Sequence, residues 1–311
     1  MSDTALPVWR AVAKPGRFGV WLRSLRHAAA RLHVFAPPAR ALAPTDPSGR
    51  NAALGMGVVS LVGAGPGSAD LITLRGVERL KAADIVYYDR LIDAGLLAHT
   101  RADAIRIYVG KAPGAHAWPQ ARINARLAAS AREGLRVVRL KCGDPGIFAR
   151  GAEEGAALDA QGIPWEIVPG VTAATAAAAA AGSFLTVRGQ TDTLILTTGR
   201  LSDDPNGHAS DTVPNWAAHL QPGTTLAVYM GIGNAGRLAN SLHENGLDSD
   251  TDVEIICAAG TAKERICRTT VADLAHAVRR EGMSNPAIIL VRCPKRTGRQ
   301  AATPREAVTP A

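Results

Sequence analysis

Between residues 58 and 291, short runs rich in valine, isoleucine and leucine alternate with longer stretches whose apolar positions recur every three or four residues. The short runs predict strands at 58–62, 85–88, 105–109, 136–140 and 165–168, and the longer ones predict helices at 74–83, 119–133 and 152–160. After an alanine-rich stretch at 171–181 the alternation resumes. Strands are predicted there at 193–197, 226–229, 253–258, 266–269 and 287–291, and helices at 216–220, 235–245 and 271–281. Strands separated by helices make α/β units, and a parallel neighbour needs a crossover long enough to carry a helix. The first half is therefore expected to hold a parallel sheet. The runs at 253–258 and 265–269 are joined by a short polar loop and predict a hairpin instead. Six consecutive alanines at 176–181 predict a close-packing helix, since alanine has the best helix propensity. A boundary after it divides the body into two domains, 56–188 and 189–294, each a sheet flanked by helices.

Composition narrows the classes. Of 311 residues 47% are apolar and 20% charged, enough for a substantial core. Aromatics at 4% argue against a protein that stacks exposed bases. Uninterrupted apolar runs stay below the roughly 18 residues of a membrane-spanning helix. The net charge of +8 is confined to the ends: residues 1–50 carry eight Arg or Lys against two acids, and 295–311 carry four against one. The body between is close to neutral, so neither nucleic acid nor membrane is an expected partner. The basic extension 1–55 and the tail 295–311 read as disordered, although an Arg-rich, acid-poor start also has the composition of a targeting segment. Cys142, Cys257, Cys267 and Cys293 form no CxxC pair, and the histidines show no metal-ligand spacing. No metal is expected, and a reducing compartment, the cytoplasm, fits best.

Candidate chemistry starts where the first strand runs into Gly63-Ala64-Gly65-Pro66-Gly67. Glycines at a strand's carboxyl end let a ligand approach the backbone with no Cβ in the way. Asp89 closes the second strand, where a dinucleotide-binding unit keeps an acid for a ribose, so a nicotinamide-dependent dehydrogenase is one class in play. Ser68 in place of the third glycine of GxGxxG, and Pro66 in place of an amide donor, count against it. A second thin loop, Cys142-Gly143-Asp144-Pro145-Gly146, follows the strand at 136–140. A third corner, Val168-Pro169-Gly170-Val171-Thr172-Ala173, offers Thr172 as a helix cap. Each alone is a plain turn; together they set thin loops along one sheet edge, where open α/β folds bind ligands.

Taken in order, Val62 to Gly67, Tyr88-Asp89-Arg90-Leu91, Tyr108-Val109-Gly110-Lys111, Arg139 to Glu154, Val168 to Thr172, Tyr229-Met230-Gly231 and Ala259-Gly260-Thr261 resemble the uroporphyrinogen-III C-methyltransferases of the tetrapyrrole methylase superfamily. The string RLKxGDPxxFxRGxEE at 139–154, with YDRL and VGK, is its most specific part. The resemblance implies a two-domain tetrapyrrole methylase fold, a homodimer, and S-adenosylmethionine bound in the inter-domain cleft. It implies two methyl transfers to uroporphyrinogen III, giving precorrin-2 on the route to sirohaem and cobalamin. Carried over by motif, Pro66, Cys142, Gly143, Asp144, Ile147, Thr172, Ala173, Met230 and Gly260 would line the cofactor site. Asp89 would accept a proton, and Lys111 would donate one or bind a substrate carboxylate. Arg90, Arg150 and Arg188 stand beside motif positions and are candidate ligands for the substrate's carboxylates.

Some relatives carry a dehydrogenase and chelatase module ahead of this one. The tail-like first fifty residues are too few for it, so a fused enzyme is not expected. The chain departs from the family pattern at Cys142, Gly146, Ala149, Val187 and Arg200. If position 142 needs a positive φ, cysteine is strained there; if not, it is a small tolerated group. The departures keep two more classes in play, a methyltransferase of a later corrin precursor and a non-catalytic tetrapyrrole-binding protein.

Overall fold

The computed structural model describes residues 56–110, 118–200, 216, 218 and 220–295. Strands β1 (Val59–Gly63), β2 (Ile85–Tyr88), β3 (Ile105–Tyr108), β4 (Val137–Lys141) and β5 (Trp165–Val168) make an all-parallel sheet in the order β3-β2-β4-β1-β5. A second sheet holds β6 (Thr193–Thr198), β7 (Thr224–Tyr229), β8 (Asp252–Cys257), β9 (Arg265–Thr270) and β10 (Ala287–Cys293), in the order β6-β7-β10-β8-β9. There β6 and β7 pair in parallel, the other described pairs are antiparallel, and β8-β9 is the expected hairpin. The architecture is the α/β arrangement anticipated, two sheets flanked by helices.

Among the described residues six helices cover the sheets: α1 (Leu74–Ala82), α2 (Gln120–Arg132), α3 (Gly151–Asp159), α4 (Ala173–Ala180), α5 (Ala235–Glu244) and α6 (Leu274–Arg280). On one face of the first sheet, α2 and α3 pack Leu127 and Leu158 against Leu61 and Tyr87. On the other, Leu80 of α1 and Leu96 meet Val62, Val86 and Leu140. Strands covered on both faces must be apolar throughout, which is why β1 is buried at every position. Across the second sheet, α5 and α6 set Leu238 and Leu274 against Leu226 and Ile255. The short 3₁₀ segments Ala69–Leu71, Ala94–His99 and Ile232–Asn234 have too few residues to show a period.

The alanine helix links the two sheets. Encoded after the first sheet, α4 packs Ala174, Ala177 and Ala178 onto the second, against Ala227, Ile256, Ile288 and Leu290. Methyl side chains let its backbone lie close to the strands. Past its end, Arg268 donates to the Ala181 carbonyl at 2.8 Å and Arg292 to that of Phe184 at 2.6 Å, and both guanidiniums pair with Glu254. Cations at a helix carboxyl terminus satisfy its last carbonyls and oppose its dipole. Of the helix expected at 216–220 only residues 216, 218 and 220 are described. Residues 1–55, 201–214 and those beyond Lys295 lie outside the described residues. No helix among the described residues is long and apolar enough to cross a membrane.

The amino ends of β2 and β4 are tied by Asp84, which accepts from the Arg136 backbone N–H (2.8 Å), Nε (3.0 Å) and Nη2 (2.8 Å), and from Arg101 Nη1 (3.1 Å). Hydrogen bonding from Arg136 lowers the Asp84 carboxyl from 3.8 to about 2. Its folded-state value is depressed, so its contribution is present above the unfolded value and lost as pH falls from there through about 2. Water screens the pair, so Asp84→Asn is expected to cost about 1 kcal/mol at pH 7 in urea unfolding. The gap between variant and wild type should close toward pH 2; equal stabilities at pH 7 would contradict this account.

Candidate functional site

Parallel strands bring their carboxyl ends to one edge, and at β4-β1-β5 the backbone itself makes the contacts. Gly65 and Gly143 form a bridge beyond the strand ends, with N···O distances of 3.3 and 2.8 Å. A Cβ on Gly170 would lie 2.3 Å from the Gly143 oxygen and 2.8 Å from Gly63 Cα, so any larger residue forces the three loops apart. Gly143 itself turns at φ 71°, and a Cβ there would meet nothing nearer than Ala173 N at 4.0 Å. Space is open on that side, where a ligand's atoms can take the place a side chain would fill. Cys142 is not among the positive-φ residues; Gly143 next to it takes that conformation, so the cysteine is tolerated without backbone strain.

Asp144 locks the arrangement. Its Oδ1 accepts from Gly146 N at 2.7 Å and its Oδ2 from Gly170 N at 2.9 Å. The carboxylate thus holds the second loop to the third corner. Thr172 occupies the N-cap of α4, but its side chain makes no capping bond, contrary to expectation. The hydroxyl of Tyr229, at the end of β7, accepts from Ala174 N at 3.1 Å and lies 2.6 Å from Thr172 Oγ1. A tyrosine from the second sheet reaches further than a threonine and satisfies the helix end in its place.

The second sheet adds two more loops at this edge. A Cβ on Gly67 would fall 2.4 Å from the Ala259 carbonyl, and one on Gly260 would lie 3.5 Å from Ser68 N, so the glycine loop touches the turn after β8. Met230 follows Tyr229 and is 41% exposed, and Phe148 packs on the Tyr229 ring at 4.9 Å while 43% exposed. Phe148, Arg150, Met230 and Ala258 all have positive φ, between 48° and 58°. Such conformations cost about 1–3 kcal/mol each in non-glycine residues and cluster at functional sites.

Beside these loops lies a buried ionic group. Arg139 and Lys141, two apart on β4, face the same side of the sheet as α3. Arg139 donates from Nε to Glu154 Oε1 (3.0 Å), from Nη2 to Asp89 Oδ1 (2.6 Å) and from Nη1 to the Leu140 carbonyl (3.2 Å). Lys141 Nζ donates to Glu154 Oε2 at 2.7 Å. Burial pulls the Arg139 pKa down, but Asp89 and Glu154 outweigh it and hold it above its ordinary value. Burial, followed by the charge of Arg139, pushes Lys141 below its ordinary value despite Glu154. Burial and the charge of Asp89 raise the Cys142 thiol to about 11.

Of the residues singled out from the sequence, Pro66, Cys142, Gly143, Asp144, Thr172, Ala173, Met230 and Gly260 come together on the loops at this edge, with Ile147 packed beneath them. Asp89 stands there too, 30% exposed on the rim of the buried group. Arg90 is exposed one residue beyond it. Arg150 is exposed and bound to Glu153 at 2.6 and 2.8 Å. Arg188 is exposed in the connection between the sheets, and Lys111 lies outside the described residues. Sequence reasoning quoted Tyr229 only within the motif Tyr229-Met230-Gly231 and gave it no role at the site. It also passed over the pairing of Arg139 and Lys141 with Glu154, readable from the two-residue spacing on β4 and the helix that follows.

Residues 58–275 match the family model Tetrapyrrole (Corrin/Porphyrin) Methylases. The siroheme synthase of Azotobacter vinelandii is 44% identical over 236 residues, covering 76% of this chain and 50% of that protein. The chain thus spans about half the length of the siroheme synthases it matches. The uroporphyrinogen-III C-methyltransferase of Paracoccus denitrificans is 41% identical over 256 residues, covering 82% of this chain and 88% of that one. Among solved structures, the uroporphyrin-III C-methyl transferase of Thermus thermophilus complexed with S-adenyl homocysteine aligns with a TM-score of 0.62 and 34% identity, over 76% of this chain and 92% of that one.

Two measurements check the geometry. Gly170→Ala should lose about 2–4 kcal/mol in urea unfolding, because the methyl group meets rigid backbone; a loss below 0.5 kcal/mol would mean the loops are not in contact. Alkylation of Cys142 in the native protein, followed by mass spectrometry, should rise with a midpoint near pH 11, against the ordinary 9. A midpoint at 9 would show that the thiol is neither buried nor beside a carboxylate.

Proposed function

The chain belongs to the tetrapyrrole (corrin/porphyrin) methylases, and on that footing we propose that it is an S-adenosylmethionine-dependent C-methyltransferase that methylates uroporphyrinogen III twice, giving precorrin-2. The observation that carries the proposal is the open side of Gly143 on the same sheet edge as the Asp89 carboxylate, where loops of both sheets meet. It is supported by the relatives that bear this activity in their names and by the Thermus structure with the demethylated nucleoside.

The residues fit such a donor. Pro66, Cys142, Gly143, Thr172, Ala173 and Gly260 present backbone and small groups that a nucleoside can approach, Met230 and Ile147 present apolar surface, and Asp144 keeps the loops in register. When bound, S-adenosylmethionine supplies an electrophilic methyl group that needs no metal to activate it. The chain's part is to hold a pyrrole carbon in line with that group, where orientation is worth several kcal/mol. Attack leaves the pyrrole positively charged until it loses a proton. Arg139 occupies Oδ1 of Asp89, and Oδ2 accepts that proton as general base. Lys111 returns a proton or binds a substrate carboxylate, and Arg90 and Arg188 offer exposed guanidiniums to the remaining carboxylates. Arg150 joins them only by leaving Glu153. The reading includes a homodimer in the cytoplasm, and domains 56–188 and 189–294 with α4 bridging them.

Asp89→Asn keeps the shape and removes the base. Turnover of uroporphyrinogen III should fall by about 10²–10⁴-fold, while calorimetric affinity for S-adenosylmethionine stays within about twofold. Unchanged turnover would contradict the assigned role.

A further inference from the structure

The most deeply buried charge near the site belongs to a residue that stands under the sheet rather than at its edge. Glu154, on the first turn of α3, has no exposed surface, yet it accepts from Arg139 Nε, Lys141 Nζ and Gln120 Nε2 at 3.0, 2.7 and 3.2 Å. Side-chain exposure across the group is 0% for Glu154, 2% for Lys141, 4% for Arg139 and 30% for Asp89. Only the last member reaches the surface, at the loop edge of the sheet.

Stability alone does not account for this group. Burying two cations and the Glu154 carboxylate carries a desolvation penalty, and apolar residues of similar volume commonly do as well or better. What the ionic group supplies is direction. A guanidinium is a rigid plane, so fixing Nε on Glu154 and Nη1 on the Leu140 carbonyl fixes where Nη2 points. Nη2 points at Asp89 Oδ1, 2.6 Å away. Lys141 balances the second carboxylate and leaves Arg139 free to serve Asp89.

We propose that Glu154 is a positioning residue for methyl transfer: it orients the Arg139 guanidinium, which holds the Asp89 carboxylate at the loop edge of the first sheet. The proposal rests on Asp89 being the proton acceptor. Misplacing a reacting group by about 1 Å costs up to about a hundredfold in rate, so Glu154→Gln should lower kcat by about ten- to a hundredfold with KM for both substrates within about twofold.

The test is a double-mutant cycle on the full chain, following transfer of labelled methyl from S-adenosylmethionine to uroporphyrinogen III. In an Asp89→Asn background, Glu154→Gln should add no further loss, because asparagine accepts no proton however it is held. Losses that multiply would overturn the proposal and leave Asp89 as the base. Wild-type turnover in Asp89→Asn would remove both. If Glu154→Gln alone unfolds, the cycle is run with Lys141→Met/Glu154→Gln, which deletes the charge pair together. That variant should melt near the wild type and keep the low kcat; recovery of kcat would mean that Glu154 only balanced charge, and would overturn the proposal. A ligand-free readout accompanies it: ¹⁵N spectra should show separate Arg139 Nη resonances in the wild type that merge in Glu154→Gln. Resonances that stay separate would show that Glu154 does not fix the guanidinium.

Discussion

Everything at the carboxyl edge of the first sheet depends on backbone meeting backbone. Gly63 ends β1 while Gly143 and Gly170 follow the neighbouring parallel strands β4 and β5, and side chains at Gly63 or Gly170 would collide with the adjoining backbone at 2.3–2.8 Å. The close approach lets one carboxylate, Asp144, hold two loops at once. It also leaves the far side of Gly143 unfilled. A ligand site and a tight junction are here two faces of the same constraint, since the residue type that permits the junction also clears the space.

Onto this edge the second sheet brings groups the first lacks. Tyr229 satisfies the amino end of α4, Phe148 leans on its ring, and Gly67 meets the Ala259 carbonyl, so the two sheets meet through specific contacts around the site. The price is four non-glycine residues with positive φ, all in loops at this edge. Below it, Glu154, Lys141 and Arg139 form a fixed support, and Asp89 is its exposed end. Strain and buried charge both concentrate where geometry has to be held rather than where the fold needs stabilising.

Much of the fold was legible because its signals were local. Strands at 85–88 and 165–168 are found at the expected bounds, since apolar runs closed by turn residues leave little choice. The hairpin followed from a connection too short for a crossover. The 3₁₀ segments carried no period to read. The thin loops were legible from their glycines, and the resemblance linked them into one site. Partners distant in sequence were not. Nothing local says that Tyr229 caps a helix that starts 56 residues earlier at Ala173, or that Asp144 reaches Gly170. The placement of α4 on the second sheet was equally hidden, because alanine marks close packing without naming the surface it meets.

The central claim is that these loops present a methyl donor to a tetrapyrrole carbon with a carboxylate at hand. It is tested most directly by identifying the product formed when the purified chain is given S-adenosylmethionine and uroporphyrinogen III. A doubly C-methylated tetrapyrrole, precorrin-2, is the result expected. Recovery of unmethylated uroporphyrinogen III alongside demonstrable donor binding would contradict it.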